Sequence, residues 1–438
     1  MADSGKRVAV VGGGWAGCAA AVELAGAGCA VTLFEAARTL GGRARAVELH
    51  GRMLDNGQHI LLGAYNETLR LLNRVGVDPK AALLHLPLQM RYPPASGGMD
   101  FVAPRLPAPL HMAAALLRAS GLAFADKMAL ARFSSTARWM GWQLNVDCSV
   151  SELLERFDQT PRLVQLMWRP LCLAALNTPP ERASARVFLA VLRDSLGAKR
   201  AASDMLLPRL DLHTLFPRAA AAFVEQRGGA VHCGAKVAAI EASGGGWQVE
   251  ATGAAVGGAC SLAFDSVVLA VPPPAAAALA PGLAESLSVF GYEPITTCYL
   301  QYDAGVRLVQ PFYALIDDPE TGRWGQFVFD RGQLDAGQSG LLSVVVSASL
   351  DAAALGQAAL AQAIAQQLTE IFGLASPSWT QVITEKRATF SCTPGLPRPP
   401  VQTALPGLAL AGDYTASDYP ATLETAVRSG VAAARALA

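Results

Sequence analysis

Gly12, Gly14 and Gly17 stand between the apolar run Val8–Val11 and the apolar stretch Trp15–Leu24, and Glu35 closes a second apolar run, Val31–Phe34. These types at this spacing suit the binding of a diphosphate and a ribose. Gly12 permits a tight turn after a strand, and Gly14 lets the backbone approach a pyrophosphate. Gly17 lets the following helix pack closely, so that Trp15 and Ala16 open a helix whose N-terminus holds an anion. Glu35, with Ala36 after it, places a carboxylate where ribose hydroxyls donate hydrogen bonds, and it would repel a 2′-phosphate. Strand, glycines, helix, second strand and acid occur in the order of one βαβ unit. A lone glycine triplet would say much less.

The next residues separate dinucleotides. Gly41-Gly42-Arg43, with Arg45, resembles the GG motif of FAD-binding amine oxidases and carotene desaturases. The resemblance implies FAD, with Gly42 along the diphosphate and Arg43 near the phosphates and flavin. Near the other terminus, Leu408–Ala411 reads as a short buried strand leading to Gly412-Asp413, and Ala421–Leu437 reads as a helix that Pro420 opens. In that superfamily the matching aspartate, here Asp413, reaches the ribityl-phosphate region. The helix start, here Thr422, Leu423 and Glu424, points at the flavin pyrimidine, where a positive dipole stabilises reduced flavin. Val237 matches the position whose backbone meets the adenine.

Asp55–Asn66, containing Gly57, Gln58 and His59, resembles a block of plant and cyanobacterial-type carotene desaturases, as do Lys386–Phe390 and Tyr419–Glu424. Within that group the sequence is most similar to the squalene-associated, desaturase-like family of bacterial hopanoid clusters, the hydroxysqualene dehydroxylases. That resemblance spans essentially the whole length. It implies reduction of the allylic alcohol hydroxysqualene to squalene with loss of water. Cys18 stands where a leucine is more usual in the family.

The elements that must position these residues follow from the pattern. The expected fold is α/β, with a discontinuous Rossmann-like FAD-binding domain at 1–78, 205–282 and 385–438. A second, α+β substrate domain takes 79–204 and 283–384. Leu215–Gln226 reads as a helix, and Ala230–Cys233, Lys236–Ile240, Trp247–Ala251 and Asp265–Val271 read as strands. Strands around Thr296–Tyr302, Phe327–Phe329 and Leu341–Ser349 precede a helix at Asp351–Phe372.

An allylic C–OH accepts hydride only once its oxygen is protonated or ionised, because hydroxide is a poor leaving group. Such a site needs reduced flavin beside the carbon, a proton donor near oxygen, and a dry apolar passage. His59 is the leading proton donor, since histidine titrates near neutrality; its alternative role is a structural hydrogen bond to backbone or FAD. Leu116, Leu117, Leu122, Phe124, Trp139, Trp142, Leu166, Met167, Trp168 and Leu171 are candidates for the lining of a lipid tunnel or for ordinary core. No second strand–GxGxxG–helix follows, so a separate electron carrier is expected instead of bound NAD(P)H. Three rival readings share most motifs: a carotenoid-type desaturase, an amine or porphyrinogen oxidase with Lys386 or Lys199 near flavin, and a flavin-containing lipid carrier.

The 438 residues are 52% hydrophobic and only 16% charged, with zero formal net charge, which gives a nucleic-acid partner no electrostatic support. The eight cysteines lie singly, without CxxC pairs or a metal-type cluster, and read as reduced, mostly buried residues of a cytoplasmic protein. The cofactor strand lies so near the first residue that no signal peptide is expected. No stretch of about eighteen unbroken apolar residues suggests a spanning helix. Leu106–Leu117 and Ala119–Ala125 are uncharged and flanked by Arg105, Arg118, Lys127, Arg132 and Arg138. They read either as an apolar helix pair in the substrate domain or as a peripheral contact with the inner face of the cell membrane.

Overall fold

The computed structural model describes residues 5–438. Five strands, β1 (Arg7–Val11), β2 (Ala30–Glu35), β3 (Ala230–Cys233), β4 (Ser266–Leu269) and β5 (Leu408–Leu410), form one sheet in the order β3-β2-β1-β4-β5. Every pairing in it is parallel. A parallel sheet must be covered on both faces, and alternation along β1 shows how. Val8 and Val10 point into a cluster with the helix α1 (Trp15–Gly26), the helix at Pro217–Glu225 and the helix Leu423–Leu437. Ala9 and Val11 point the other way, against Val237, Trp247, Val249 and Phe264. Those residues belong to an antiparallel three-stranded sheet, Lys236–Ser243, Gly246–Gly253 and Gly258–Phe264.

The second half is an antiparallel sheet in the order 312–314, 327–330, 341–347, 292–301 and 379–390. One face packs Cys298, Leu300, Val344 and Val346 on the helix Gln357–Phe372 through Leu360, Ile364 and Leu368. The other face turns inward, where Phe312, Phe327 and Phe329 join the core that holds Trp168 and Phe188. The long strand Trp379–Phe390 runs across position 384/385, and Met205–Pro208 pairs with Leu83–Leu86. Two of the boundaries expected from sequence therefore fall where backbone ladders join the halves. Residues 1–4 of the expected first segment lie outside the described residues.

Several helices begin or break elsewhere than expected. Pro217 opens its own helix, so Leu215–Gln226 is split at Phe216. Gly356, at φ +82°, divides Asp351–Phe372. The C-terminal helix starts at Leu423, capped by Thr422 Oγ1, which accepts from Thr425 N–H at 3.2 Å; Pro420 only precedes it. No described helix is long and apolar enough to cross a membrane. All eight cysteines are free, and burial pushes the Cys18 thiol well above its ordinary value.

Candidate active site

β1 ends in the glycine turn, and each glycine answers a different demand. Gly12 has φ +105°, and a Cβ there would lie 2.5 Å from Ala270 O. A Cβ at Gly17 would lie 1.9 Å from Gly12 O, so helix and turn touch only because it is absent. Gly14 differs: its Cβ would meet nothing nearer than Gly42 Cα at 3.9 Å. The space above Gly14 is open, at the N-cap of α1, where no side chain caps the free N–H groups and no acid occupies the first turn. An open helix N-terminus beside unencumbered backbone is what a diphosphate requires. Gly41 N–H donates to Gly13 O at 2.8 Å, and Gly42 at φ +61° stacks on Gly14, which brings the GG segment onto the same turn.

Glu35 lies beside this turn, half-buried. Its Oε2 accepts from Gly13 N–H at 2.6 Å and its Oε1 from Ala37 N–H at 2.7 Å, so the carboxylate is held in place by backbone donors. Ala235 N–H donates to Glu35 O at 2.9 Å, and Val237 follows two residues later at a β-bulge. Ala36 is exposed at the rim. Glu35, Ala36 and Val237 thus border one edge of the sheet.

The two termini meet at Arg43. Its Nη2 donates to Asp413 Oδ1 at 2.6 Å and its Nη1 to Ala388 O at 2.7 Å. Burial opposes the charge on Arg43, but Asp413 outweighs it and holds the guanidinium above its ordinary range. The pair opens onto a cavity of about 170 Å³ lined also by Pro272, Pro273, Tyr292, Glu385, Arg387, Phe390 and Tyr414. Tyr414 places a buried hydroxyl there with no partner among the described residues. Phe290 backs the wall, with ring centroids 5.7 Å from Phe390 and 5.9 Å from Tyr414. Sequence reasoning missed these aromatic residues, and also Arg398. Arg398 donates to the carbonyls of Asp413, Ser417 and Tyr419 and lies over Phe390 at 4.9 Å, so it shapes the loop after β5. The Lys386–Phe390 block pointed to part of this wall; nothing local pointed to Arg398.

Three expected cofactor contacts have structural work for their side chains. Trp15 donates through Nε1 to Ala44 O at 3.2 Å and packs on Phe216, leaving only its backbone at the helix start. Ala16 is buried under Gly430 of the last helix, where a Cβ would lie 2.1 Å from Ala16 O. Glu424 is buried and fully engaged. Its Oε2 accepts from Thr68 N–H (2.9 Å) and Thr68 Oγ1 (2.7 Å), and its Oε1 from Glu67 N–H (3.1 Å) and Arg428 Nε (2.7 Å). Its carboxylate thereby caps the helix Asn66–Arg74. Gly412 N–H donates to Ser429 Oγ at 2.8 Å, and a side chain there would strike the Tyr414 ring.

The 55–59 loop is held from the second sheet. Asp55 Oδ1 accepts from Leu212 N–H (2.8 Å) and Asp55 O from the Tyr299 hydroxyl (2.8 Å). Gln58 Oε1 accepts from Arg331 Nη1 at 2.8 Å, and Arg331 Nε donates to Gln338. Burial pushes the Asp55 carboxyl up to about 7 despite Arg331 nearby. His59 Nδ1 lies 2.7 Å from Gly57 O, and a carbonyl only accepts, so the proton sits on Nδ1. Burial holds this imidazole below its ordinary value, against the opposing effect of that bond. With Nδ1 tied to Gly57 O, Nε2 is the ring nitrogen left to face a ligand. This bond to backbone is the structural role that the sequence offered as the alternative to proton donation. His59 does not line the Arg43–Asp413 cavity.

Of the lipid-tunnel candidates, Trp168 and Leu166 are buried core, whereas Leu117, Phe124 and Trp139 face solvent. The outward three line no interior passage.

Comparison with known proteins gives the same architecture. The profile of the flavin containing amine oxidoreductases matches residues 15–438. The chain is 31% identical to the hydroxysqualene dehydroxylase of Rhodopseudomonas palustris, covering 98% of this chain and 97% of that one. It is 25% identical to a probable zeta-carotene desaturase of Synechococcus elongatus, over 98% of both. Among solved structures, a putative protoporphyrinogen oxidase from Exiguobacterium superposes with a TM-score of 0.69 at 18% identity, covering 99% of this chain and 98% of that one.

Proposed function

We propose, from the premise that this chain belongs to the flavin containing amine oxidoreductase family, that it is an FAD-dependent enzyme removing the allylic hydroxyl of hydroxysqualene to give squalene. The observation that carries this reading is the similarity, along nearly the whole of both chains, to the hydroxysqualene dehydroxylase of Rhodopseudomonas palustris. The reaction balances as R–OH plus hydride plus a proton giving R–H and water. Reduced flavin, when bound, supplies the hydride.

The residues present fit the cofactor. The N–H groups at the start of α1, opened by Gly14, would hold the diphosphate, with Gly12, Gly17 and Gly42 keeping the turn compact. Glu35 would take the ribose hydroxyls, with Ala36 and the Val237 backbone beside the adenine. Arg43 and Asp413, with Gly412, would stand at the ribityl-phosphate end, where Tyr414 has an unpartnered hydroxyl to offer. Thr422 and Leu423 would present the last helix to the flavin, while Gly57, Gln58 and His59 approach from the loop that Arg331 fixes.

In this reading the segments 1–78, 205–282 and 385–438 form the FAD-binding domain, and 79–204 with 283–384 the substrate domain. The faces of Tyr292, Phe390 and Tyr414 suit an allylic cation formed as water leaves. His59, with Nδ1 tied to Gly57 O, would hold the 55–59 loop in shape beside the cofactor. Electrons reach the flavin from a separate carrier.

Similarity to the zeta-carotene desaturase supports a second reading, in which flavin takes hydride from a polyene. One anaerobic experiment separates the two. The purified flavoprotein is reduced, hydroxysqualene is added, and flavin reoxidation is followed while lipid is extracted. Squalene formed in step with oxidised flavin is the expected result. No reoxidation by hydroxysqualene, together with desaturation of a carotene by the oxidised protein, would overturn it.

A further inference from the structure

We propose that the surface made by the helices Leu110–Arg118 and Phe124–Trp139 docks on an anionic phospholipid bilayer, lying in its interface without crossing it. The large apolar side chains that this protein leaves in water are concentrated here: Leu106, Leu110, Leu117, Phe124, Met128 and Trp139. Leu117, Phe124 and Trp139 are 77%, 78% and 86% exposed, so they contribute almost nothing to the core.

Helical geometry puts them on shared faces. Leu110 and Leu117 are two turns apart on the first helix. On the second, Phe124, Met128 and Trp139 follow one stripe with the exposed Arg132 and Ser135. The opposite stripe, Ala129, Leu130, Phe133 and Ala137, is buried, and Phe133 packs on Trp168 with ring centroids 4.6 Å apart. Lys127 Nζ donates to Leu117 O at 3.0 Å, so the end of one helix and the start of the next meet at the surface. The helices are thus anchored from behind, with an apolar front.

Charge selects the occupant. Arg105, Arg118, Arg132 and Arg138 are exposed on or next to these helices, with Lys127 half-buried between them, in a chain of zero net charge. Asp126, the acid among them, is buried, where it accepts from Ala123 N–H (2.8 Å) and Thr160 Oγ1 (2.6 Å). Two copies placed face to face would bring cations against cations. Anionic headgroups neutralise the same cations while the bilayer edge takes Leu117, Phe124 and the interfacial Trp139. The inference does not depend on the substrate assigned above.

The test is flotation of the purified flavoprotein, in substrate-free buffer, with vesicles of phosphatidylglycerol and phosphatidylcholine or of phosphatidylcholine alone. It should float with the anionic vesicles, less with the neutral ones, and be released as salt rises. The variant Leu117→Ser/Phe124→Ser/Trp139→Ser should float at least about tenfold less, with flavin content and Tm unchanged. The variant Arg118→Gln/Arg132→Gln/Arg138→Gln should lose the preference for anionic lipid. Wild-type protein that ignores anionic vesicles would overturn the proposal, as would an apolar variant that floats as well as wild type. So would a dimer held by these residues in protein that binds no vesicle. Because no substrate is present, failure of the dehydroxylation assay in detergent leaves this outcome untouched, and the reverse also holds.

Discussion

The glycine turn at 12–17 and the loop at 55–59 lie close in sequence but are built by opposite means. The turn is local. Gly12 N–H donates to Phe34 O, Gly13 N–H to Glu35, and Gly17 packs on Gly12, all within one βαβ unit. The loop is held from far away: Arg331 grips Gln58, Tyr299 bonds Asp55 O, and Leu212 bonds the Asp55 carboxyl. The shape of the glycine turn is therefore set within one supersecondary unit, whereas the geometry around His59 belongs to the junction of two sheets. A fold organised this way can retain its flavin while its chemistry is altered by changes in the second half.

The sharpest way to break the contrast is inside the turn. Gly17→Ala drives a methyl into Gly12 O and is expected to cost about 2–4 kcal/mol of stability, with purified protein lacking flavin absorbance. Gly14→Ala meets only Gly42 Cα. It should fold normally but bind flavin about 10–100-fold more weakly, because one methyl crowds the open space above the turn and not the protein. Equal damage from both would remove the distinction drawn between the two glycines.

At the loop, Arg331→Gln should leave flavin bound yet slow reoxidation by hydroxysqualene on the order of 10–100-fold, since Gln58 loses its anchor. Stopped-flow measurement checks it, and loss of flavin instead would mean the regions are not separable.

Asp55 gives a pH signature. Its carboxyl is raised to about 7 in the fold from 3.8, so the native state binds more protons between those values. The stability it contributes is complete below about 4 and is lost as pH rises through about 7. Asp55→Asn should therefore flatten this part of the profile by about 2–4 kcal/mol relative to wild type, read from denaturation midpoints. A parallel profile in the two proteins would contradict the burial argument.

The smallest effect is expected at His59. His59→Gln should slow single-turnover reoxidation by less than about tenfold, short of the ~10²–10⁴ of a lost acid catalyst. A larger loss, with a pH dependence that vanishes in the variant, would make His59 the proton donor.

The contrast also explains what was legible from residues alone. Gly12, Gly14, Gly17 and Glu35 announce themselves because their partners lie within one supersecondary unit whose spacing is fixed. Arg43 and Asp413 were each legible, but their contact across 370 residues was not. Trp15 was expected at the site through the helix start that it opens, and Glu424 through the resemblance. Where their side chains go, to Ala44 and to the helix at Thr68, no local pattern names. Arg398 went unread for the same reason. Leu117, Phe124 and Trp139 are apolar on the page, and whether such residues form core or surface is decided by what packs over them.

Gly430 against Ala16 has one more consequence. The first helix finds the last of its cover when residues 423–437 arrive, and β5, the outer strand that leads to Asp413, precedes them by little. On the ribosome, the glycine turn is made early but stays unfinished until nearly the whole chain has emerged. Flavin loading is then a late event in the life of each molecule, and a nascent chain stalled before residue 408 would carry the motif without the means to close on its cofactor.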